Sequence, residues 1–203
     1  EREIDLHPYF MGIWLGDGTK GEPAYTKPYP EVADRLTSLG YYVVHRPDGT
    51  YKYLKNIKNF MTDPVFNCGS SDRYIPEDYK YNTIENRMAL FEGLCDSDGE
   101  VSNSGSIGYS TTSKRLAEDV IWLARSLGFK ATLQPTAKNG WYYDKQGNKV
   151  ECKDCYRVTI NASVNPFSIE HKRSAYKPSE ARYTKRWIDS IEPIPNSDGM
   201  CIT

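Results

Sequence analysis

One nine-residue pattern, written twice, constrains this chain more than anything else in it. Phe10-Met11-Gly12-Ile13-Trp14-Leu15-Gly16-Asp17-Gly18 and Phe91-Glu92-Gly93-Leu94-Cys95-Asp96-Ser97-Asp98-Gly99 agree at Phe, Gly, a branched aliphatic residue, Asp and Gly. In the first copy Phe10, Ile13 and Trp14 fall at helical spacing, with Asp17 next on that stripe. The second repeats the spacing with Phe91, Leu94, Cys95 and Asp98. Gly18 and Gly99 are expected to turn left-handed and close the two helices. A duplication of this kind predicts two similar half-domains that meet across paired helices, each contributing one carboxylate.

The position of the acids carries the chemistry. A helix C-terminus already bears partial negative charge, so an Asp there is disfavoured by about 0.3–1 kcal/mol. Two such ends side by side are worse. A bound divalent cation removes the conflict, because hard cations take carboxylate and carbonyl oxygens. Gly12 and Gly16, like Gly93 and Ser97, are four apart, a spacing of small residues that lets helix backbones approach closely. On a helical wheel they stand roughly 100° from the aspartates. The sequence therefore leaves open whether one face both packs and carries the acids.

These residues resemble the paired signature helices of LAGLIDADG homing endonucleases, and Gly12-Ile13-Trp14-Leu15-Gly16-Asp17-Gly18 is most similar to those encoded inside inteins. The resemblance covers roughly residues 5–175. It implies an α+β fold of two pseudo-twofold α-β-β-α-β-β-α halves, whose two antiparallel sheets form a DNA-binding saddle under the helices. It implies Asp17 and Asp98 as metal ligands, assisted by the carbonyls of Gly16 and Ser97, with Mg²⁺ or another divalent cation such as Mn²⁺ as cofactor. The implied partner is a long double-stranded DNA site, cut on both strands across the minor groove to leave short 3′ overhangs. The family also uses a lysine in each half, near the cleft. Arg73, ahead of Ile75-Pro76, holds one such place, and Lys172 is the candidate for the other, with Lys58 weaker for the first half. Arginine cannot shed a proton, so Arg73 suits charge stabilisation rather than base work.

The implied halves are residues 1–84 and 85–175, with 176–203 as a linker and the start of a segment resembling an intein's C-terminal splicing strands. The chain has no terminal His-Asn pair and no N-terminal splicing cysteine, so as it stands it is not expected to splice. In the first half, residues 19–29 read as a short edge strand or loop, and 30–39 as a helix opened by Pro30 and stopped by Gly40. Residues 41–46 and 50–57 flank Pro47-Asp48-Gly49 as a hairpin. In the second half, 106–112 is a strand, 116–127 an amphipathic helix, 129–134 and 156–161 strands around a turn-rich insertion, and 164–170 a short closing helix.

Composition bounds the reading without choosing it. The 203 residues suffice for one or two domains. No apolar run reaches about 18 residues and no secretory signal is visible, so an intracellular, non-membrane protein is expected. Five scattered cysteines fit a reducing compartment. A net charge of −1 argues mildly against a nucleic-acid binder, but total charge does not report its distribution. Strand residues Lys52, Lys55, Lys130, Gln134 and Arg157 are the candidates for reading DNA, and alternation allows only some of them to share a face. Asp96 is two residues from Asp98, about 200° around the helix, and faces Leu15 in the alignment, so a structural hydrogen bond is its expected role. Cys152 and Cys155 form a lone C-x-x-C, a poor zinc site. The expected molecule is a monomer with internal pseudo-symmetry. An RNA-binding maturase, or a DNA-binding module that no longer cuts, is the alternative on the same fold.

Overall fold

The computed structural model describes residues 2–45, 52–55, 57, 63–135, 141–151, 154–178 and 188–193. Helix α1, Pro8–Asp17, begins on Pro8, whose missing N–H costs nothing in the first turn, and on His7, whose Nδ1 accepts the Tyr9 amide at 3.2 Å. Strand β1 (Ala24–Tyr25), helix α2 (Pro30–Ser38) and strands β2 (Tyr42–His45) and β3 (Lys52–Lys55) follow. Two 3₁₀ turns and the short helix α3, Glu77–Lys80, lead to helix α4, Ile84–Asp98. Thr83 caps α4 by accepting the Asn86 amide. Strands β4 (Gly99–Val101) and β5 (Ile107–Thr111), helix α5 (Lys114–Ser126), strands β6 (Lys130–Leu133), β7 (Trp141–Tyr143), β8 (Lys149–Glu151) and β9 (Tyr156–Asn161), and helix α6 (Glu170–Ala175) complete the order.

The duplication is visible in the pairing of strands. The first sheet runs β1-β3-β2, and Gly18, just past α1, bridges Tyr25 on its open side. The second runs β4-β5-β9-β6, and Gly99, just past α4, pairs Tyr109. Both sheets are antiparallel. In each, the chain leaves a signature helix, pairs with the next strand through a tyrosine, crosses a helix and returns as two more strands. The β7-β8 hairpin is an addition within the second half.

Helices α1 and α4 are the centre of the core. From Pro8 to Leu15 every residue of α1 is buried, so this helix is apolar all round rather than on one stripe. The two backbones touch at glycine. A Cβ on Gly12 would overlap the Leu90 carbonyl oxygen and stand 2.7 Å from the Leu94 nitrogen. One on Gly93 would overlap the Tyr9 carbonyl and stand 3.1 Å from the Gly12 Cα. Gly16 meets Ser97 in the same seam, and Asp98 Oδ2 lies 3.0 Å from where a Gly16 Cβ would sit. The question left open by the helical wheel is thereby answered: the small-residue seam continues directly into the acids at the helix ends.

Several expectations need correction. Gly18 and Gly99 are not left-handed; their φ values are −73° and −74°, with extended ψ. Gly99 opens strand β4 and Gly18 makes an isolated bridge to Tyr25, and glycine is required because a Cβ would strike the residue four positions back, Trp14 or Cys95. The closing helix is displaced from 164–170 to Glu170–Ala175. Asn165 Oδ1 accepts the Phe167 amide at 3.1 Å and Pro166 has no amide to donate. Asp96 takes the amides of Ser168 and Ile169, so the helix starts only beyond them. Strand β4 and the β7-β8 hairpin were not anticipated. The 47–49 turn and Lys58 lie outside the described residues, as do Cys152 and most of the tail.

Candidate active site at the paired helix ends

Asp17 and Asp98 close α1 and α4, and the glycine seam brings them to one place. Two carboxylates and two helix C-termini then share a small volume, a concentration of negative charge that the fold answers with three basic side chains. Arg73 covers the end of α1. Its Nη1 donates to the carbonyls of Trp14 (3.1 Å), Leu15 (2.9 Å) and Gly16 (2.9 Å), and Nη2 to Gly18 at 2.6 Å. The guanidinium also stacks 4.6 Å from the Trp14 ring and is buried. Lys172 covers the end of α4 in the same way, donating to the carbonyls of Cys95 (3.1 Å), Asp96 (3.0 Å) and Ser97 (3.5 Å). These contacts satisfy carbonyls that a helix end leaves open and place cations where the helix dipole favours them.

The third cation is Lys27. Its Nζ lies 2.9 Å from Asp17 Oδ2 and donates to the Ser97 carbonyl. The ion pair does not meet hydrogen-bond geometry, so among the described residues Asp17 Oδ2 is charge-compensated yet without a hydrogen bond in its buried position. Burial, and then repulsion from Asp17, pushes the Asp98 carboxyl up to about 6, partly countered by Lys27, Arg73 and Lys172. Burial, and then the neighbouring Lys27, lowers the Lys172 ammonium from its ordinary value. The Tyr109 hydroxyl is buried beside this group without a hydrogen-bond partner among the described residues, and burial followed by Asp98 raises its pKa.

Donor chemistry favours a hard cation here. The cleft presents two carboxylates, and Asp17 already holds a cation against an oxygen with no hydrogen bond. Hard divalent ions seek that kind of oxygen set. The carbonyls of Gly16 and Ser97 are engaged, the first by Arg73 and the second by Lys27 and Lys172.

Asp96 has the structural role expected of it. It is fully buried and accepts the Tyr9 hydroxyl at 2.7 Å, the Ser168 amide at 2.9 Å and the Ile169 amide at 3.4 Å, together with the Ser168 hydroxyl. It thereby ties α4 to α1 and to the segment that starts α6, which carries Lys172. Cys95 is buried in the core.

On the second sheet, register puts Lys130, Thr132 and Gln134 on one face with Asn161, Thr159 and Arg157. Ser110 and Gly108 of β5 continue that face. Lys130 and Arg157 are exposed, and Gln134 Nε2 donates to Thr159 Oγ1 at 3.0 Å. Arg157 pairs with Glu100 across the bare backbone of Gly108. In the first sheet Lys55 is exposed, but Lys52 is not a candidate for reading DNA. It points the other way, 3 % exposed, and donates to the Tyr29 carbonyl at 3.2 Å. Neighbouring strand positions face opposite sides, and Lys52 shares its side with the buried Leu54.

Lys27 is the residue that sequence reasoning missed. Its only signal was indirect: Thr26 donates its amide to the Asp17 carbonyl, which draws the next side chain over the acid. That pairing is visible only once Gly18 is known to bridge Tyr25.

A duplicated chain with one acid from each half at a shared helix junction defines a single-chain pseudo-dimer with a composite carboxylate site. The family model described as homing endonuclease matches residues 74–178, just over half of the sequence. The chain belongs to the homing endonuclease family. It is 26 % identical over 206 residues to a replicative DNA helicase DnaB of Mycobacterium intracellulare, a match taking in all of this chain and 32 % of the relative. It is 23 % identical over 209 residues to the homothallic switching endonuclease of Saccharomyces cerevisiae, covering 85 % of this chain and 35 % of that protein. The chain thus spans about a third of the length of these curated relatives. Among solved structures, the homing endonuclease I-DmoI in complex with DNA and Ca is similar at 15 % identity and a TM-score of 0.49, covering 83 % of this chain and 95 % of that one. Mesophilic variants of I-DmoI are similar at 16 % identity and a TM-score of 0.46, covering 76 % and 87 %. Among the described residues no helix is long and apolar enough to cross a membrane.

Proposed function

We propose that this chain is a site-specific endonuclease that hydrolyses both strands of a long DNA site with the help of divalent cations. One observation carries the reading: the two duplicated helices deliver Asp17 and Asp98 to a single cleft, one from each half. Membership of the homing endonuclease family supports it. Relatives solved with target DNA and with Mn, Ca or Mg accord with DNA as the substrate and a divalent cation as the cofactor.

Phosphodiester hydrolysis needs an activated water, neutralised charge on the phosphorane and help for the departing 3′ oxygen. A divalent cation supplies these when bound. Asp17 and Asp98 would hold it, Mg²⁺ and Mn²⁺ being the natural candidates for an all-oxygen site. Arg73 and Lys172 act as positioning residues in this scheme. Arg73 Nη1 and Nη2 and Lys172 Nζ are already engaged with carbonyls, so they fix the helix ends and lend positive potential to the cleft rather than accept a proton. One acid per half, with residues 1–84 and 85–175 as the halves, lets each strand of the duplex meet one carboxylate. The polar face bearing Lys130, Gln134 and Arg157, together with Lys55, would lie along the DNA, and a single chain would suffice.

We also infer an intein origin, with 176–203 leading back to a splicing segment. Full-length alignment of this chain to only a third of a protein named for helicase activity is what an in-frame insertion would produce. The decisive assay is plasmid cleavage with Mg²⁺, using a plasmid that carries the empty insertion site. Asp17→Asn and Asp98→Asn should each abolish double-strand cutting while duplex binding persists. Normal cutting by either variant would overturn the ligand assignment. Binding without cutting by the unaltered chain would favour the inactive DNA-binding module, and preference for structured RNA the maturase.

A further inference from the structure

Three cations surround the two helix ends, but they are not equivalent. Arg73 and Lys172 bind main-chain carbonyls through several donors each. Each also holds one carbonyl that the family resemblance assigns to metal, Gly16 for Arg73 and Ser97 for Lys172, but among the described residues neither forms an ion pair with Asp17 or Asp98. Among the described residues, Lys27 alone forms an ion pair with Asp17 or Asp98. Its Nζ contacts Asp17 Oδ2 and the Ser97 carbonyl oxygen, two of the oxygens that the family resemblance assigns to metal. It reaches them on a flexible four-carbon stem from a segment fixed on both sides, by the Thr26 amide on the Asp17 carbonyl and by Tyr29, whose carbonyl accepts Lys52 and whose ring packs on His171, so the side chain can leave without moving the backbone. Its side chain is 15 % exposed, so it has a path to solvent.

The geometry points to Lys27 as an internal counter-cation that fills the metal position until a divalent ion displaces it. An ammonium and a doubly charged ion cannot share one carboxylate oxygen and one carbonyl at contact distance, so the entering ion must drive the lysine out. In the metal-free protein Lys27 offsets the repulsion between Asp17, Asp98 and the two helix ends. In exchange, it weakens the affinity for metal, because the ion pair must be broken first. The inference rests on the reading that Asp17 and Asp98 hold the metal.

The test is a Mn²⁺ titration of the full chain without DNA, with free Mn²⁺ followed by electron paramagnetic resonance, alongside thermal unfolding in chelator. Lys27→Met and Lys27→Gln should each bind Mn²⁺ at least tenfold more tightly than the parent chain, while their metal-free Tm falls. Lys27→Arg, which keeps the charge, should bind as the parent does. A lysine that merely anchored its segment would lower Tm in the neutral variants without tightening Mn²⁺, and that result overturns the inference. Lys27→Gln serves where Lys27→Met fails to fold, since glutamine can still donate to the Ser97 carbonyl. Asp17→Asn and Asp98→Asn separate the two ideas. If the parent binds Mn²⁺ and both variants lose it, the metal reading stands whatever Lys27 does. If both variants bind Mn²⁺ like the parent, the metal reading falls and takes the Lys27 inference with it.

Discussion

Replacing Asp96 by alanine should be among the most damaging single changes in the chain that leave both cleft acids in place. The carboxylate is fully buried and accepts the Tyr9 hydroxyl, the Ser168 amide and hydroxyl, and the Ile169 amide. Hydroxyls can turn toward other acceptors, but the two amides cannot leave without moving the chain. A buried donor left unsatisfied costs about 1–3 kcal/mol, so Asp96→Ala should lose about 3–5 kcal/mol in all. That is a large part of the 5–15 kcal/mol that holds a typical domain together. At roughly 2–4 °C per kcal/mol for a chain of this size, Tm should drop by about 10 °C. Asp96→Asn keeps one oxygen for the amides and can turn its NH₂ toward the hydroxyls, so about half that loss is expected. Urea unfolding followed by far-ultraviolet circular dichroism measures both, with a shifted midpoint and an unchanged slope. The damage should spread along one route, loosening Ser168 and Ile169, then α6, then Lys172 over the end of α4. A loss below about 1 kcal/mol for Asp96→Ala would refute the claim that this carboxylate joins the two halves.

Other outcomes follow from the same geometry. Gly12→Ala and Gly93→Ala force a Cβ onto backbone of the partner helix, which cannot rotate away as a side chain could. Each should cost about 3 kcal/mol or more, at the upper end of overpacking effects, read by the urea midpoint. His7 caps α1 with the lone pair of its neutral ring, and burial, with Arg35 next, lowers its pKa. A lowered folded pKa means that its contribution is present above about 6.5, the unperturbed value, and is lost as pH falls through the folded value. Thermal unfolding across that range should show the loss, about 0.5–2 kcal/mol for an N-cap, and His7→Ala should remove it. For DNA, Lys130→Ala and Arg157→Ala should each reduce the salt dependence of duplex binding by about one phosphate contact. Lys52→Met should leave that slope unchanged, because its ammonium faces Tyr29 rather than solvent.

Much of this molecule was legible as a string because the information was local or repeated. The two nonamers announced paired helices, and their acids announced a shared cleft. Pro30 sits where a helix start needs it. Strand alternation warned that some of the basic residues proposed for DNA would face inward, and Lys52 is the one that does. What the string could not show depended on partners distant in sequence. The tyrosine pairings of Gly18 and Gly99 made those glycines extended rather than left-handed. Asp96, reaching 72 positions ahead to Ser168, decided where α6 could begin.

The sequence by itself determined that there are two halves and that each supplies one acid, since a repeat states its own symmetry. Only the tertiary structure decided how the charge of that cleft is balanced. Arg73, Lys172 and Lys27 converge on it from separate segments; the family resemblance pointed to the first two, but what each one touches there, and the presence of Lys27 at all, is not marked locally. The reason is physical: helix periodicity acts over a few residues, whereas compensating a buried charge requires whichever opposite charge the whole fold happens to bring near.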